Sequence, residues 1–164
     1  MKPYMKRKKS KKSENMLALS VGGKVQKGSG CVWYAKGDVT TDNFLFEAKI
    51  TEKPYYDLEY AVLQKIEKQA LTYLKTPVLS VSIDSKHQPK IDFVVIPENI
   101  ILNVDLYSCV DILPFNKSVI LHCEKLNKLY TDEKKYILLK RPDKKNYMIL
   151  LLTEFLEEFK VRNG

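Results

Sequence analysis

Three consecutive segments, Phe44–Ile50, Leu58–Leu74 and Val78–Ile83, restrict the fold more than anything else in this sequence. The first and third are short apolar runs rich in strand-forming residues. The middle one has apolar residues at 58, 61, 62, 66, 70, 73 and 74, the stripe of an amphipathic helix. Asp57 is available to cap that helix, and Thr76-Pro77 to end it. Two strands separated by the length of a helix pair in parallel, and the connection is right-handed by default. The segment therefore predicts an α/β domain with a mixed β-sheet flanked by helices.

The flanking segments extend the pattern. Glu14–Val21 reads as a helix with Ser10 or Ser13 as N-cap, stopped by Gly22-Gly23. Cys31–Ala35, continuing through Gly37-Asp38-Val39, predicts a strand that forms a hairpin with Phe44–Ile50 across the Thr40–Asn43 turn. Ile91–Ile96, Ser118–His122, Tyr136–Lys140 and Tyr147–Leu152 predict further strands, and Thr153 can cap a closing helix, Glu154–Val161. Residues 97–117 are ambiguous. The order is α-β-β-α-β-β followed by a β-rich C-terminal extension. No internal repeat interrupts it, and 164 residues suit one domain.

Charge is distributed unevenly. Of 28 Lys and Arg, ten fall in residues 1–37 beside a single acid, Glu14, while the other eighteen are balanced by nineteen acids. The densest stretch is the tail 1–12, with Lys2, Lys6, Arg7, Lys8, Lys9, Lys11 and Lys12. Such a run cannot pack on itself and is expected to be mobile in isolation. It suits a polyanion such as nucleic acid, or else serves as a solubilising or targeting tail. No apolar run reaches membrane-spanning length, and the basic N-terminus lacks the apolar core of a secretory signal. Three scattered cysteines, Cys31, Cys109 and Cys123, give no disulfide framework and suit a reducing, intracellular compartment.

Alternation along Phe44–Ile50 puts Glu47 and Lys49 on one face, about 7 Å apart along the strand, and Phe44, Phe46, Ala48 and Ile50 on the other. A carboxylate and an ammonium inside an apolar strand are costly to bury without partners. Asp38, nine residues before Glu47, is brought beside it by the hairpin, and converging carboxylates repel unless a cation lies between them. Hard divalent ions such as magnesium take such oxygen ligands. Glu14 shares a helical stripe with Leu17, Ala18 and Val21, which makes it a third candidate ligand or simply a complement to the helix dipole. The spelling Glu/Asp-x-Lys recurs at Glu133-Lys134-Lys135, Asp84-Ser85-Lys86 and Asp143-Lys144-Lys145, the last after Pro142. All three lie in polar segments where charge is solvated, so context singles out Glu47-Ala48-Lys49.

The ordered motifs Gly28-Ser29-Gly30, Lys36-Gly37-Asp38-Val39 and Phe44-Leu45-Phe46-Glu47-Ala48-Lys49-Ile50-Thr51 resemble those of the Holliday-junction resolvases of phages and archaea, within the PD-(D/E)xK nuclease superfamily. The preceding helix with its glutamate, the Leu63–Ala70 helix and Pro77 before a valine-rich strand belong to the same likeness, which covers residues 13–83. Gly37 stands in place of the motif's proline. The resemblance implies a restriction-endonuclease-like core over 13–97, preceded by the tail 1–12 and followed by an extension of the same domain over 98–164. It implies that Glu14, Asp38, Glu47 and the Ala48 carbonyl bind magnesium, with manganese able to substitute. Lys49 would orient or activate the attacking water, and Ser29 would meet the DNA backbone near the scissile phosphate. The implied activity is paired, symmetric nicking of four-way DNA junctions by a homodimer. A restriction-like, flap or fork nuclease with the same site is the alternative, and a non-catalytic DNA-binding protein the third reading.

Further candidates are weaker in kind. Lys65 and Gln69, four apart on the flank of the second helix, can reach the site or be solvated. Trp33 and Tyr55-Tyr56 can stack on DNA or pack in the core. His87, His122 and the cysteines lack the spacing of a zinc site.

Overall fold

In the computed structural model, which describes residues 3–26, 38–101, 104–131 and 133–163, the strand–helix–strand unit is β3 (Phe44–Thr51), α2 (Tyr60–Thr72) and β5 (Thr76–Ile83). β3 and β5 are adjacent and parallel, with Glu47 opposite Leu79 and Lys49 opposite Val81. The hairpin partner is short: β2 (Val39–Thr40) runs antiparallel to β3, placing Val39 opposite Phe46. The expected strand Cys31–Ala35 lies outside the described residues.

Among the described residues an eight-stranded mixed sheet results, in the order β1 (Lys24–Val25), β2, β3, β5, β6 (Ile91–Pro97), β10 (Tyr147–Leu151), β9 (Lys135–Lys140), β7 (Ser108–Pro114). The C-terminal strands thus continue the sheet of the N-terminal half, since β10 pairs with β6. The segment 97–117, ambiguous in sequence, holds two short 3-10 turns and β7, an edge strand whose parallel partner β9 lies far along the chain. A second, two-stranded ribbon joins the halves again, β4 (Tyr55–Glu59) with β8 (Ser118–His122).

Alternation divides the core in two. One face of the sheet, with Leu79, Val81, Phe93 and Ile149, is covered by α2, the β4–β8 ribbon and the short α3 (Cys123–Leu126). The other, with Phe46, Val78, Val94 and Leu150, is covered by α1 (Pro3–Val21) and α4 (Leu152–Asn163). Phe155 and Phe159 of α4 meet the Phe44 ring edge-on at 5.3 and 4.7 Å, closing this second core. Each fully buried side chain of this size contributes about 1.5–3 kcal/mol.

Three local expectations need correction. α1 runs back to Pro3, so residues 3–12 of the basic tail form its first half and Ser10 and Ser13 lie inside it rather than capping it. Lysine is a good helix former and proline is favoured in a helix's first turn, so nothing local stops the helix at Ser13. α2 begins at Tyr60, because residues 55–59 pair with β8; Asp57 lies opposite Ile120 in that ribbon and caps nothing. Thr153 likewise falls within α4, which starts at Leu152. The glycine stop behaves as read: Gly22 takes a left-handed φ of 66°, and the Gly23 amide donates to the Ala18 carbonyl at 2.9 Å. No described helix is long and apolar enough to cross a membrane.

Candidate active site

Even-numbered residues of β3 face the α1–α4 core and odd-numbered ones face α2 and β4. Glu47 and Lys49 therefore rise on the α2 side, beside Leu79 and Val81 of β5. Their side chains form an ion pair, Lys49 Nζ to Glu47 Oε1 at 3.3 Å, with Glu47 15% and Lys49 41% exposed. Among the described residues β2 pairs with β3 no further along than Phe46, and Asp38 stands where that pairing ends. The Asp38 amide donates to the Phe46 carbonyl at 2.9 Å. Its carboxylate Oδ2 accepts the Ala48 amide at 2.8 Å, and the residue is only 8% exposed. Within an extended strand one residue's N–H and C=O lie on the same edge, so the Ala48 carbonyl is also turned to the Asp38 side.

Glu14 comes from a third element. Leu17 and Ala18 anchor α1 on this part of the sheet, and Glu14, one turn earlier, accepts a bond from Ser10 Oγ at 3.3 Å. Burial, then the negative charges of Asp38 and Glu47, hold Glu14 above the usual carboxylate range, partly offset by Ser10 and Lys11. Glu47 is raised for the same reasons, burial first and Asp38 second, with Lys49 and Lys65 pulling it back. Glu14 therefore feels the charges of both Asp38 and Glu47, and Glu47 that of Asp38. That donor chemistry fits a hard divalent cation. Among the described residues no three His, Cys, Asp or Glu side chains stand ready-made around one point. Glu47 is turned to Lys49 and Glu14 to Ser10, and these are the two side chains that would rotate to share an ion.

Other sequence-predicted residues are placed variously. Ser29 and Trp33 lie outside the described residues. The backbones of Lys6, Arg7 and Lys8 form the first turns of α1. Lys9 pairs with Glu52 just beyond β3, while Lys11 and Lys12 are exposed. Lys65 is exposed on α2, near enough to Glu47 for its charge to act there. Gln69, one turn on, has its Oε1 buried with no hydrogen-bond partner among the described residues.

The look-alike motifs are occupied elsewhere. Asp143 binds the buried Arg141, whose guanidinium lies 3.3 Å from the Tyr60 ring centroid, and Lys145 pairs with Glu67. Lys134 sits 3.8 Å from Glu158, and Asp84 is exposed beyond the end of β5. Sequence reading missed Lys75, whose ammonium donates to Thr40 Oγ1 at 2.6 Å and ties the end of α2 to the β2–β3 turn. Only the turn's position in space brings it there, and no local signal marks it.

No protein-family model, curated protein or solved structure matches the chain.

Proposed function

We propose that this chain is a divalent-metal-dependent DNA endonuclease of the PD-(D/E)xK type, with a restriction-endonuclease-like core. Its proposed substrate is the four-way junction, cut by a homodimer. The observation that carries the reading is the gathering of Asp38, Glu47 and Glu14 within one another's electrostatic reach, with Lys49 at 3.3 Å from Glu47, on the strand that bears the Glu-x-Lys motif. A structural role explains such a group poorly, because burying like charges together costs stability.

In this reading Glu14, Asp38, Glu47 and the Ala48 carbonyl hold magnesium, which supplies an acidified water and neutralises the charge that builds on the phosphate. The protein's own groups do the positioning. The Ala48 amide fixes Asp38 in one rotamer. Lys49, the more exposed partner of its pair, reaches toward solvent, where it orients the attacking water against the phosphorus. The water oxygen forms the new bond to phosphorus as the P–O3′ bond breaks, leaving a 5′-phosphate and a 3′-hydroxyl. The cations along the first half of α1, with Lys65, meet backbone phosphates.

The test is incubation with end-labelled four-way junction, duplex and flap DNA, with and without magnesium, alongside Glu47→Gln. Magnesium-dependent cutting that the variant lacks supports the nuclease. Preference for the junction supports the resolvase, and preference for flap or duplex points to the restriction-like or fork alternative. Binding without cutting under every condition leaves a DNA-binding protein and ends the enzyme reading.

A further inference from the structure

One partly buried polar group near this site has no task in the scheme above. β3 ends at Thr51 and β4 begins at Tyr55, so a link of three residues turns the chain back over the α2-side face of the sheet. By Tyr60, whose ring packs 6.3 Å from that of Tyr147, the chain has passed along this face from β3 to β10. Alternation in β4 sends Leu58 and Tyr56 inward: Leu58 is fully buried and Tyr56 packs against the same core. Tyr55 points the other way, its ring 5.6 Å from His122. Glu47 and Lys49 rise from β3 on this same face beside Leu79 and Val81, and Tyr56 packs on the core those residues belong to, near enough to Glu47 for its charge to act on the phenol.

We propose that Tyr56 is a further residue of this site, its phenol hydroxyl donating a hydrogen bond to a non-bridging oxygen of the phosphodiester held over Glu47 and Lys49. The inference rests on the nuclease reading and adds a substrate contact to it. Tyr56 is partly buried, yet no hydrogen bond to its hydroxyl is made among the described residues, so the group is free to meet a ligand. Burial first, and then the charge of Glu47, push the phenol up to about 12, which keeps it a proton donor at any ordinary pH. A phosphate oxygen accepts hydrogen bonds and donates none, so a phenol that keeps its proton can donate to it. This differs from stacking on a base, because stacking uses the ring face and does not need the hydroxyl.

The experiment compares Tyr56→Phe with the wild type in single-turnover cleavage, with DNA affinity measured in calcium and stability by thermal melting. Phenylalanine keeps the packed ring, so the melting temperature is expected to hold. The cleavage step is expected to slow by about ten- to a hundredfold, as for loss of one hydrogen bond to a charged group, while affinity changes little. Unchanged cleavage by Tyr56→Phe, with Glu47→Gln inactive, overturns the proposal and leaves the nuclease standing. An active Glu47→Gln overturns the nuclease itself, and with it this inference. Should Tyr56→Phe melt early, Tyr56→Leu decides: equal loss in both variants assigns the hydroxyl to catalysis, and loss only in the leucine form assigns the ring to packing.

Discussion

The Asp38 carboxylate accepts a charge-assisted bond from the Ala48 amide, and its neighbour Glu47 leans on Lys49. Substitutions that remove the charge of each group should separate chemistry from folding. Asp38→Asn, Glu47→Gln and Lys49→Ala are each expected to abolish cutting and leave DNA binding largely intact, since in the proposed reading affinity resides in phosphate contacts elsewhere. The pair Asp143→Asn with Lys145→Ala should cut normally in the same gel assay; the reverse pattern would move the active site to that second motif. A pH effect follows from the same acids. Glu14 and Glu47 have folded-state values above the ordinary 4.5, so in the metal-free protein they favour folding below that value. That contribution is lost as pH rises through the raised values. Metal-free Glu47→Gln should therefore melt higher than wild type at pH 7, with the gap closing toward pH 4. Added magnesium should raise the wild-type melting temperature at pH 7 far more than that of the variant, a difference scanning fluorimetry can read. Equal response of both proteins to magnesium would remove Glu47 from the ligand set. The motif itself was legible because Glu47 and Lys49 interrupt an apolar strand; the approach of Tyr56 and Lys75 was not, because each depends on where a turn carries the chain.

At the level of elements, the end of α1 sets the position of β2. A Cβ on Gly23 would lie 2.7 Å from the Thr40 carbonyl oxygen, a backbone atom that yields only if β2 moves. Gly23→Ala is expected to cost about 1–3 kcal/mol, the usual penalty of overpacking, and to lower activity by displacing Asp38 just before that strand. Gly22 needs freedom of another kind: its φ of 66° disfavours any side chain, but no described residue lies within 4 Å of an added Cβ. Gly22→Ala should therefore cost about 1 kcal/mol and spare activity. Chemical denaturation of both variants, with cleavage rates, distinguishes the two. The first half of α1 is separable by deletion of residues 1–12, which removes seven Lys and Arg. The slope of log affinity against log salt should then shrink by about 0.9 for each phosphate the protein no longer neutralises. An unchanged slope would make this segment a solubility device. Elements formed by local periodicity were readable in advance, α2, β5, β6, β8, β9 and β10 among them. β4 and β7 were not, because their partners β8 and β9 are supplied from distant sequence and neither strand has a strong alternation of its own.

For the whole molecule, the proposed reaction sets a requirement that one chain does not meet. Resolving a four-way junction needs nicks in two strands of like polarity, and a symmetric dimer supplies two sites related by a two-fold axis. The sequence offers two apolar stretches for an interface, residues 100–113 and the Tyr136–Leu152 hairpin. For the proposed dimer, hydrogen bonding within the sheet favours the first. β10 is enclosed between β6 and β9, and β9 is covered on its far side by β7, so the hairpin has no free edge. Among the described residues β7 forms a border of the sheet, and it carries Ile112, 57% exposed. A second copy is therefore expected to meet the chain there if the protein is a resolvase. Ile112→Lys places a charge on that border without touching the site, and its expected result is a monomer by sedimentation. Such a monomer should still nick DNA, but the cuts on opposing strands of a labelled junction should become independent in time instead of paired. Paired cuts by a wild-type dimer that Ile112→Lys leaves intact would move the interface elsewhere. A wild-type monomer that cuts linear duplex as readily as junction DNA would keep the nuclease and remove the resolvase, because one site without a symmetric partner has no means of coordinating two strands.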